Sequence, residues 1–270
     1  MSDLTLGVDL RQRHFGAVNW RGLWTLYWRN LARFLKLAME TLGAPAVTAL
    51  LFIAVFVLAL EGREEMLPGI SVARFVAPGI VMFSLLHCAF ESAAFPILYD
   101  KMEGMIQDVA AAPLSPIEIL LGYAFAATSC ALFVGVAVTF VVSFFVETQL
   151  VMPLALIGFA AAAALLFALF GTLVGLWADK WEHYAAAETF LVLPLGLLSG
   201  AFFTLRDLPH DLHWLFAINP VFHAINGFRY GFIGESDASL ATGIGFLLLL
   251  DLLLAVFAWR LFVVGYKIRA

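Results

Sequence analysis

Residues 240–264 read LATGIGFLLLLDLLLAVFAWRLFVV, a run in which only Asp251 and Arg260 are charged. A bilayer hydrocarbon core about 30 Å thick needs roughly 20 consecutive apolar residues from a spanning helix. This stretch exceeds that length. It therefore predicts a transmembrane α-helix.

Five more apolar blocks of similar length precede this one. They run from about Leu42 to Leu60, Phe75 to Leu98, Ile119 to Val146, Met152 to Ala178 and Ala185 to Phe203. Hydrophobic residues make up 63% of the chain and charged residues 13%, against about 45–50% and 25% in soluble domains. The sequence thus predicts an all-α polytopic membrane protein, a single domain over residues 1–270 with six transmembrane helices.

Lysine and arginine residues are concentrated on one side of the predicted membrane. With six spans, both termini share a side with the second and fourth loops, and that side holds 11 of the 15 basic residues. The 11 are Arg11, Arg13, Arg21, Arg29, Arg33, Lys36, Lys101, Lys180, Arg260, Lys267 and Arg269. Cytoplasmic loops carry the excess of such residues, so both termini are predicted to be cytoplasmic.

Residues 19–37 are too charged for a span but have a clear helical period. At 100° per residue the apolar side chains fill one arc and the basic ones the other. The apolar arc includes Trp20, Trp24 and Trp28, and the basic side includes Arg21, Arg29 and Arg33. We expect a helix lying on the inner leaflet, with tryptophans at head-group level and arginines toward anionic lipid. A helix that docks a cytosolic partner is a compatible alternative.

The segment 204–235 is too apolar for a solvated loop and is interrupted by Pro209 and Pro220. Such a segment is typical of short re-entrant helices that enter the outer leaflet under the cover of protein or of a water-filled cavity. The sequence predicts a structured outer vestibule before the last span.

His87, Glu91 and Asp251 are ionisable side chains inside predicted spans. His87 and Glu91 are four residues apart, share a helix face and are expected to bond each other or to line a polar path. Asp251, in the middle of the last span, is expected to be protonated, hydrogen-bonded to a neighbouring helix or exposed to an aqueous cavity. We favour a structural tie or subunit contact for it over a proton relay.

The chain lacks the phosphate-binding loop GxxxxGK[ST], so we expect no ATP or magnesium site of the usual kind in it. His210, Asp211 and His213 are close in sequence, but no further ligand cluster supports a metal site. No metal, cofactor or nucleic-acid partner is therefore expected for this chain itself.

Three stretches resemble the ABC-2 type permeases, the membrane subunits of bacterial ABC exporters, especially the branch that includes YadH and NodJ. They are residues 24–56, WTLYWRNLARFLKLAMETLGAPAVTALLFIAVF; residues 99–122, YDKMEGMIQDVAAAPLSPIEILLG; and residues 199–234, SGAFFTLRDLPHDLHWLFAINPVFHAINGFRYGFIG. The third is the most specific, with Pro209, Asn219, Pro220 and Arg229 at its marked positions. The resemblance extends over nearly the whole chain.

The resemblance implies a permease in the bacterial inner membrane that pairs with a second permease, usually its own copy, and with two ATP-binding subunits. Within the segment 99–116 it assigns eight residues to a coupling helix that sits in a groove of the ATPase. These are Lys101, Met102, Glu103, Gly104, Met105, Ile106, Gln107 and Asp108. It also assigns Arg21, Arg29 and Arg33 to the interfacial helix beside that contact.

The leading hypothesis is the permease of an ATP-driven exporter for an amphipathic, lipid-linked or drug-like substrate. An ion-coupled secondary transporter using Asp251, Glu91 and His87 is the alternative, although the sequence shows no inverted repeat of the kind common in such folds. An intramembrane enzyme built on the outer-loop histidines is a third hypothesis.

Overall fold

The computed structural model describes residues 18–36, 39–59, 65–67, 69–205 and 209–267. Within them the α-helices are α1 (Trp20–Lys36), α2 (Ala44–Ala59), α3 (Val72–Met102), α4 (Ile106–Ala111), α5 (Pro116–Val142), α6 (Pro153–Trp177), α7 (Trp181–Ala187), α8 (Leu193–Leu197), α9 (His213–Ala217), α10 (Pro220–Ile233) and α11 (Leu240–Val264). Met39–Gly43 and Glu188–Val192 are π-helical, and His210–Leu212 is a 3-10 turn. A short antiparallel hairpin pairs β1 (Glu65–Leu67) with β2 (Ile70–Ser71). Arg11, Arg13 and Arg269, three of the basic residues in the charge count, lie outside the described residues.

Short polar residues and prolines determine where the long helices begin. Ser115 precedes α5 and forms a capping box with Glu118, and Pro116 occupies the first helical position. Proline is favoured there because that position needs no backbone donor. At the other end of the chain, Ser239 caps α11 and Gly265, with φ +72°, ends it. The predicted last span, 240–264, coincides with α11.

Four helices in the described part of the chain, α3, α5, α6 and α11, are long and apolar enough to cross a membrane. The pair Trp20–Lys36 and Met39–Val55, bent by 73°, makes a fifth if it is counted as one span. These helices confirm the prediction of an all-α polytopic membrane protein.

Two of the predicted spans are not single α-helices. The first is the π-helical turn Met39–Gly43 followed by α2, and the fifth is α7 and α8 with the π-helical turn Glu188–Val192 between them. Pro45 and Pro194 lie just after these two turns. A proline has no N–H to donate to the preceding turn, which accounts for the break in the regular ladder.

The centre of the bundle is α3, which is packed against both α5 and α6 and is mostly buried. The approach of α6 depends on two glycines. A Cβ atom at Gly171 would lie 2.4 Å from the carbonyl oxygen of Phe90, and one at Gly175 would lie 2.8 Å from that of Ala94. Small residues four apart let helix backbones approach closely, and these two glycines permit the close contact between α6 and α3.

Candidate functional site

A single buried carboxylate, that of Asp100 in the last turn of α3, fastens α1 to the bundle. Arg29 Nη2 lies 2.5 Å from its Oδ2, and Arg33 Nη2 lies 2.7 Å from its Oδ1. The hydroxyl of Tyr123 on α5 donates to Oδ2 at 2.9 Å. Since hydrogen bonds between charged groups are about twice as strong as neutral ones, this network holds three helices together.

The opposite end of α1 is held by the first turn of α5. The Glu118 carboxylate, which is buried, accepts the backbone N–H of Asn19 at 2.5 Å and that of Ser115 at 2.7 Å. The side-chain amide of Asn19 donates to the carbonyl of Pro113 at 2.9 Å. The α1 helix is thus tied to the bundle at both ends, and its position depends on those of α3 and α5.

The three tryptophans of α1 form a row on the face opposite the bundle. Trp20, Trp24 and Trp28 are 71%, 60% and 51% exposed, whereas Leu26 and Asn30 on the inner face are buried. Trp24 and Trp28 stack with ring centroids 6.2 Å apart. This arrangement agrees with the predicted amphipathic helix.

The arginines of α1 do not form one exposed basic face. Arg21 is exposed, but Arg29 and Arg33 turn inward to Asp100 and are only about one-third exposed. The prediction that these two arginines face anionic lipid is therefore corrected. A buried carboxylate in a low dielectric attracts them more strongly than a hydrated head group does.

Lys101, the residue after Asp100, also turns into the bundle. Its Nζ donates to the carbonyl oxygens of Leu176 and Ala178 at the end of α6, at 2.8 and 2.5 Å. Lys267 donates to Asp179 and to the carbonyl of Trp177. The Lys267 ammonium, aided by that of Lys101, holds the pKa of Asp179 below its usual range. The two lysines thus satisfy the free carbonyl groups at the C-terminus of α6.

The predicted single coupling helix over 101–108 is divided in two. Lys101 and Met102 end α3, Glu103 to Met105 form a turn, and α4 begins at Ile106. Gly104 has φ +74°, a conformation that glycine adopts without strain and that breaks the helix. The exposed surface of this tip consists of Met102, Glu103, Gly104, Gln107 and Asp108, whereas Ile106 and Val109 are buried.

His87 and Glu91 share a face of α3, but His87 takes a different partner from the predicted one. Its Nε2 lies 2.7 Å from Oε1 of Glu188, the first residue of the second π-helical turn. Glu91 is exposed and makes no hydrogen bond to any described residue. His87 and Glu91 project in parallel from one helix face and do not meet, whereas Glu188 approaches His87 from the facing segment.

Asp251 lies on the inner face of α11 and is 5% exposed. Neither of its carboxylate oxygens has a hydrogen-bond partner among the described residues. Of the three states expected for Asp251, a hydrogen bond to a neighbouring helix is absent from the described part of the chain. A buried acid without a hydrogen-bond partner lowers the stability of the fold. Substitution of Asp251 therefore tests whether this residue has a structural or a functional role.

Arg229 of α10 connects three parts of the outer segment. It is buried, donates to the carbonyl of Gly200 at 2.5 Å, and places its guanidinium 3.8 Å from the ring centroid of Phe75. The side chain of Asp237 is 6% exposed, and its Oδ2 lies 3.8 Å from Nη1 of Arg229. Asn226 joins the same loop by accepting the backbone N–H of Asp237 at 2.7 Å. Residues 227–231, GFRYG, thus connect α10 to α3 and to the two loops beside them.

The prolines and the asparagine of this segment define its short helices. Asn219 caps α10 by accepting the N–H of Val221 and donates to the hydroxyl of Ser199 at 2.9 Å. Pro220 is the first residue of α10, and Pro209 is exposed just before the 3-10 turn. Because α10 is largely buried against α6, α3 and α11, the segment is an integral layer of the bundle rather than a loose loop.

Sequence reasoning did not identify Asp100, Tyr123 or Glu118 as site residues. One signal for Asp100 was present, since Arg29 and Arg33 are four residues apart and point from one helix face toward a common anion. The identity of that anion depends on which helices meet, and the sequence pattern of α1 does not contain that information.

Apolar helices that enclose polar side chains, with an exposed polar tip at one end, define a polytopic integral membrane protein. The chain belongs to the ABC-2 type transporter family, whose model matches residues 21–233. It acts as a membrane transport permease rather than as an enzyme.

Two groups of curated relatives support this assignment. The chain is 30% identical over 251 residues to the inner membrane transport permease YadH of Escherichia coli (strain K12), covering 93% of this chain and 98% of YadH. It is 25% identical over 238 residues to nodulation protein J of Rhizobium leguminosarum bv. viciae, covering 86% and 89%. It is 24% identical over 229 residues to nodulation protein J of Rhizobium meliloti, covering 84% and 86%. The protein is therefore a multi-pass protein of the inner membrane.

Proposed function

We propose that this chain is the permease subunit of an ATP-driven exporter that moves an amphipathic, lipid-linked or drug-like substrate out of the cytoplasm or inner leaflet. The observation that carries the proposal is the exposed tip between α3 and α5, held rigidly at its base. Asp100 ties the end of α3 to α1 and α5, and Lys101 ties it to α6. A force applied to the tip therefore reaches four helices at once.

The partner in this proposal is an ABC ATP-binding subunit, present in two copies and holding ATP and magnesium. Met102, Glu103, Gln107 and Asp108 present an exposed surface with two carboxylates. Closure of the ATPase subunits on ATP would move this tip as a rigid body. That motion would change the side of the membrane to which the substrate path opens. A second copy of the permease completes the transporter as a homodimer.

The proposed topology has six spans, with both termini cytoplasmic. It counts the π-helical turn Met39–Gly43 with α2 as the first span, and the broken segment Trp181–Leu197 as the fifth. Residues 204–235 form the re-entrant segment, in which α9 and α10 are the short helices. The tip lies in the second loop and hence on the cytoplasmic side, next to the ATPase.

Affinity purification tests the proposal. The tagged chain, extracted from its own membranes, should co-purify with a nucleotide-binding subunit. Joint replacement Glu103→Ala and Asp108→Ala should lower the ATPase activity of the complex by about fivefold or more, since a coupling energy of 1–3 kcal/mol is typical between linked sites. Glu147→Ala, an exposed acid beyond α5, is the matched control and should leave the activity unchanged. Recovery of no nucleotide-binding subunit would exclude the proposal. A recovered subunit whose ATPase activity is unaltered by the joint replacement would exclude the tip as its contact.

A second candidate, an ion-coupled secondary transporter, draws support from the unpartnered carboxylate of Asp251. The two candidates differ in their energy source. An exporter requires ATP in sealed vesicles, whereas an ion-coupled transporter moves its substrate under a proton gradient alone. Transport driven by the gradient without ATP and abolished by Asp251→Asn would favour the second candidate.

A further inference from the structure

The exposed side of α3 is a single ridge of five side chains spaced four residues apart. In order they are Phe83, His87, Glu91, Phe95 and Tyr99. Residues four apart lie on one helix face. The rest of α3 is largely buried, whereas Glu91, Phe95 and Tyr99 are exposed. Three of the five are aromatic, and one is a carboxylate.

The broken segment Trp181–Leu197 runs along this ridge and adds to it. Gly196 packs against the ring of Phe83 at one end, and Trp181 lies 5.1 Å from Phe95, between ring centroids, at the other. Between them Glu188 contacts His87 at 2.7 Å. The two elements together form a shallow strip with aromatic rings at both ends and polar groups in its middle.

The middle of this strip holds two carboxyl groups and one imidazole. Glu91 and Glu188 supply two carboxylates against the one imidazole of His87, so with both acids ionised the sum is negative whether or not His87 carries a proton. Glu91 makes no hydrogen bond to any described residue. His87 lies at the midpoint of the 31-residue α3. The charge is therefore at membrane depth, where ionisable side chains mark substrate pathways.

The segment that carries Glu188 is also locally irregular. Glu188 begins the π-helical turn Glu188–Val192, and π-helical turns occur mostly as single-turn insertions in α-helices, frequently at functional sites. The neighbouring Phe190 and Leu191 are exposed. An apolar surface thus lies directly beside the two carboxylates.

We infer that the strip formed by α3 and the segment Trp181–Leu197 binds the cationic head of an amphipathic molecule, an amine or quaternary ammonium group, between Glu91, Glu188 and the flanking aromatic rings. Aromatic faces and carboxylates both attract cations, and the attraction to an aromatic face is larger when the cation is desolvated. The exposed Phe190 and Leu191 contact the apolar part of the same molecule. This inference rests on the proposed transport function and specifies the substrate class of its path.

Binding of two matched hydrophobic ions tests the inference. Tetraphenylphosphonium and tetraphenylborate have nearly the same size and shape but opposite charge. The full-length protein in lipid nanodiscs should bind the cation in excess of empty nanodiscs. Glu91→Gln and Glu188→Gln should each weaken cation binding about tenfold, because each removes one charge partner. Tetraphenylborate should show no such loss.

Glu91→Asp keeps the charge and should retain cation binding to within about threefold, since only the carboxylate position changes. Glu147→Gln removes an exposed acid beyond α5, outside both elements of the strip, and should bind the cation as the wild type does. Both variants also control for folding. Equal affinity of the wild type and Glu91→Gln for the cation would overturn the inference.

A second copy of the chain covering the strip is the competing outcome. In that case Glu91→Cys would form a disulfide between copies and the wild type would not bind the cation, which would also overturn the inference.

Recovery of the nucleotide-binding subunit is measured separately. A complex that couples to the ATPase without binding the cation would refute only the inference, and cation binding without any ATPase partner would refute only the exporter proposal.

Discussion

Asp100 and Asp251 are both buried carboxylates of this chain, but their surroundings differ. Asp100 accepts from two arginines and a tyrosine, whereas neither oxygen of Asp251 has a partner among the described residues. Burying a charged or polar group costs free energy unless hydrogen bonds replace those lost to water. The two residues should therefore respond to substitution in opposite directions.

Asp100→Asn should lower the free energy of unfolding by about 2 kcal/mol, because two arginines lose their anion. The value is below that of a fully buried pair, since the arginine side chains are 33% and 30% exposed and water compensates in part. Thermal unfolding in detergent measures the change. Asp108→Asn, at an exposed site, should alter stability by less than about 0.5 kcal/mol. Equal stability of Asp100→Asn and the wild type would contradict the network's role.

Asp251→Leu should raise the free energy of unfolding by about 1–3 kcal/mol, because it removes an unsatisfied buried carboxyl group. Leu247→Ala, one turn away on the same buried face, should instead lower it by about 2–5 kcal/mol. A loss of stability in Asp251→Leu would show that the carboxyl group has a partner in the assembled transporter. Lost transport with raised stability would assign Asp251 a functional role.

At the scale of helices, glycines determine how closely α6 approaches α3. Gly171 and Gly175 face backbone carbonyl groups of α3, while Gly158 in the same helix has no atom within 4 Å of its added Cβ. Two glycines four residues apart in the sequence indicate a close helix contact. The partner helix was not predictable from α6 itself, since small residues permit an approach without selecting the surface approached.

Gly171→Ala should destabilise the protein by about 1–3 kcal/mol, because the new methyl group would lie 2.4 Å from a backbone oxygen that has little freedom to move. Gly158→Ala is the matched control and should be neutral or stabilising by up to about 1 kcal/mol, since alanine favours the helix. Unfolding in detergent compares them. A Gly171→Ala protein as stable as Gly158→Ala would mean that α6 and α3 do not pack this closely.

At the scale of the whole molecule, orientation follows from the distribution of basic residues. The tip at residues 103–108 and the loop beyond α5 lie at opposite ends of the bundle, since α5 separates them. The excess of lysine and arginine on the side of the tip predicts that the tip is cytoplasmic.

Cysteine labelling tests this orientation in a background with Cys88→Ala and Cys130→Ala. Gln149→Cys, beyond α5, should react with a membrane-impermeant maleimide in intact spheroplasts. Ala110→Cys, exposed on α4, should react only after permeabilisation. The reverse pattern would invert the topology and move the proposed ATPase contact to the wrong side.

The sequence alone determined that the chain spans a membrane and where its last helix begins and ends, because apolar length and capping residues are local properties of the chain. The spans broken near Pro45 and Pro194 were less predictable, because a π-helical turn has no distinct hydrophobic pattern. Only the tertiary structure decided that Arg29 and Arg33 bind Asp100 and that His87 pairs with Glu188. The physical reason is that charge partners are chosen by distance in three dimensions, which depends on how helices far apart in sequence pack together.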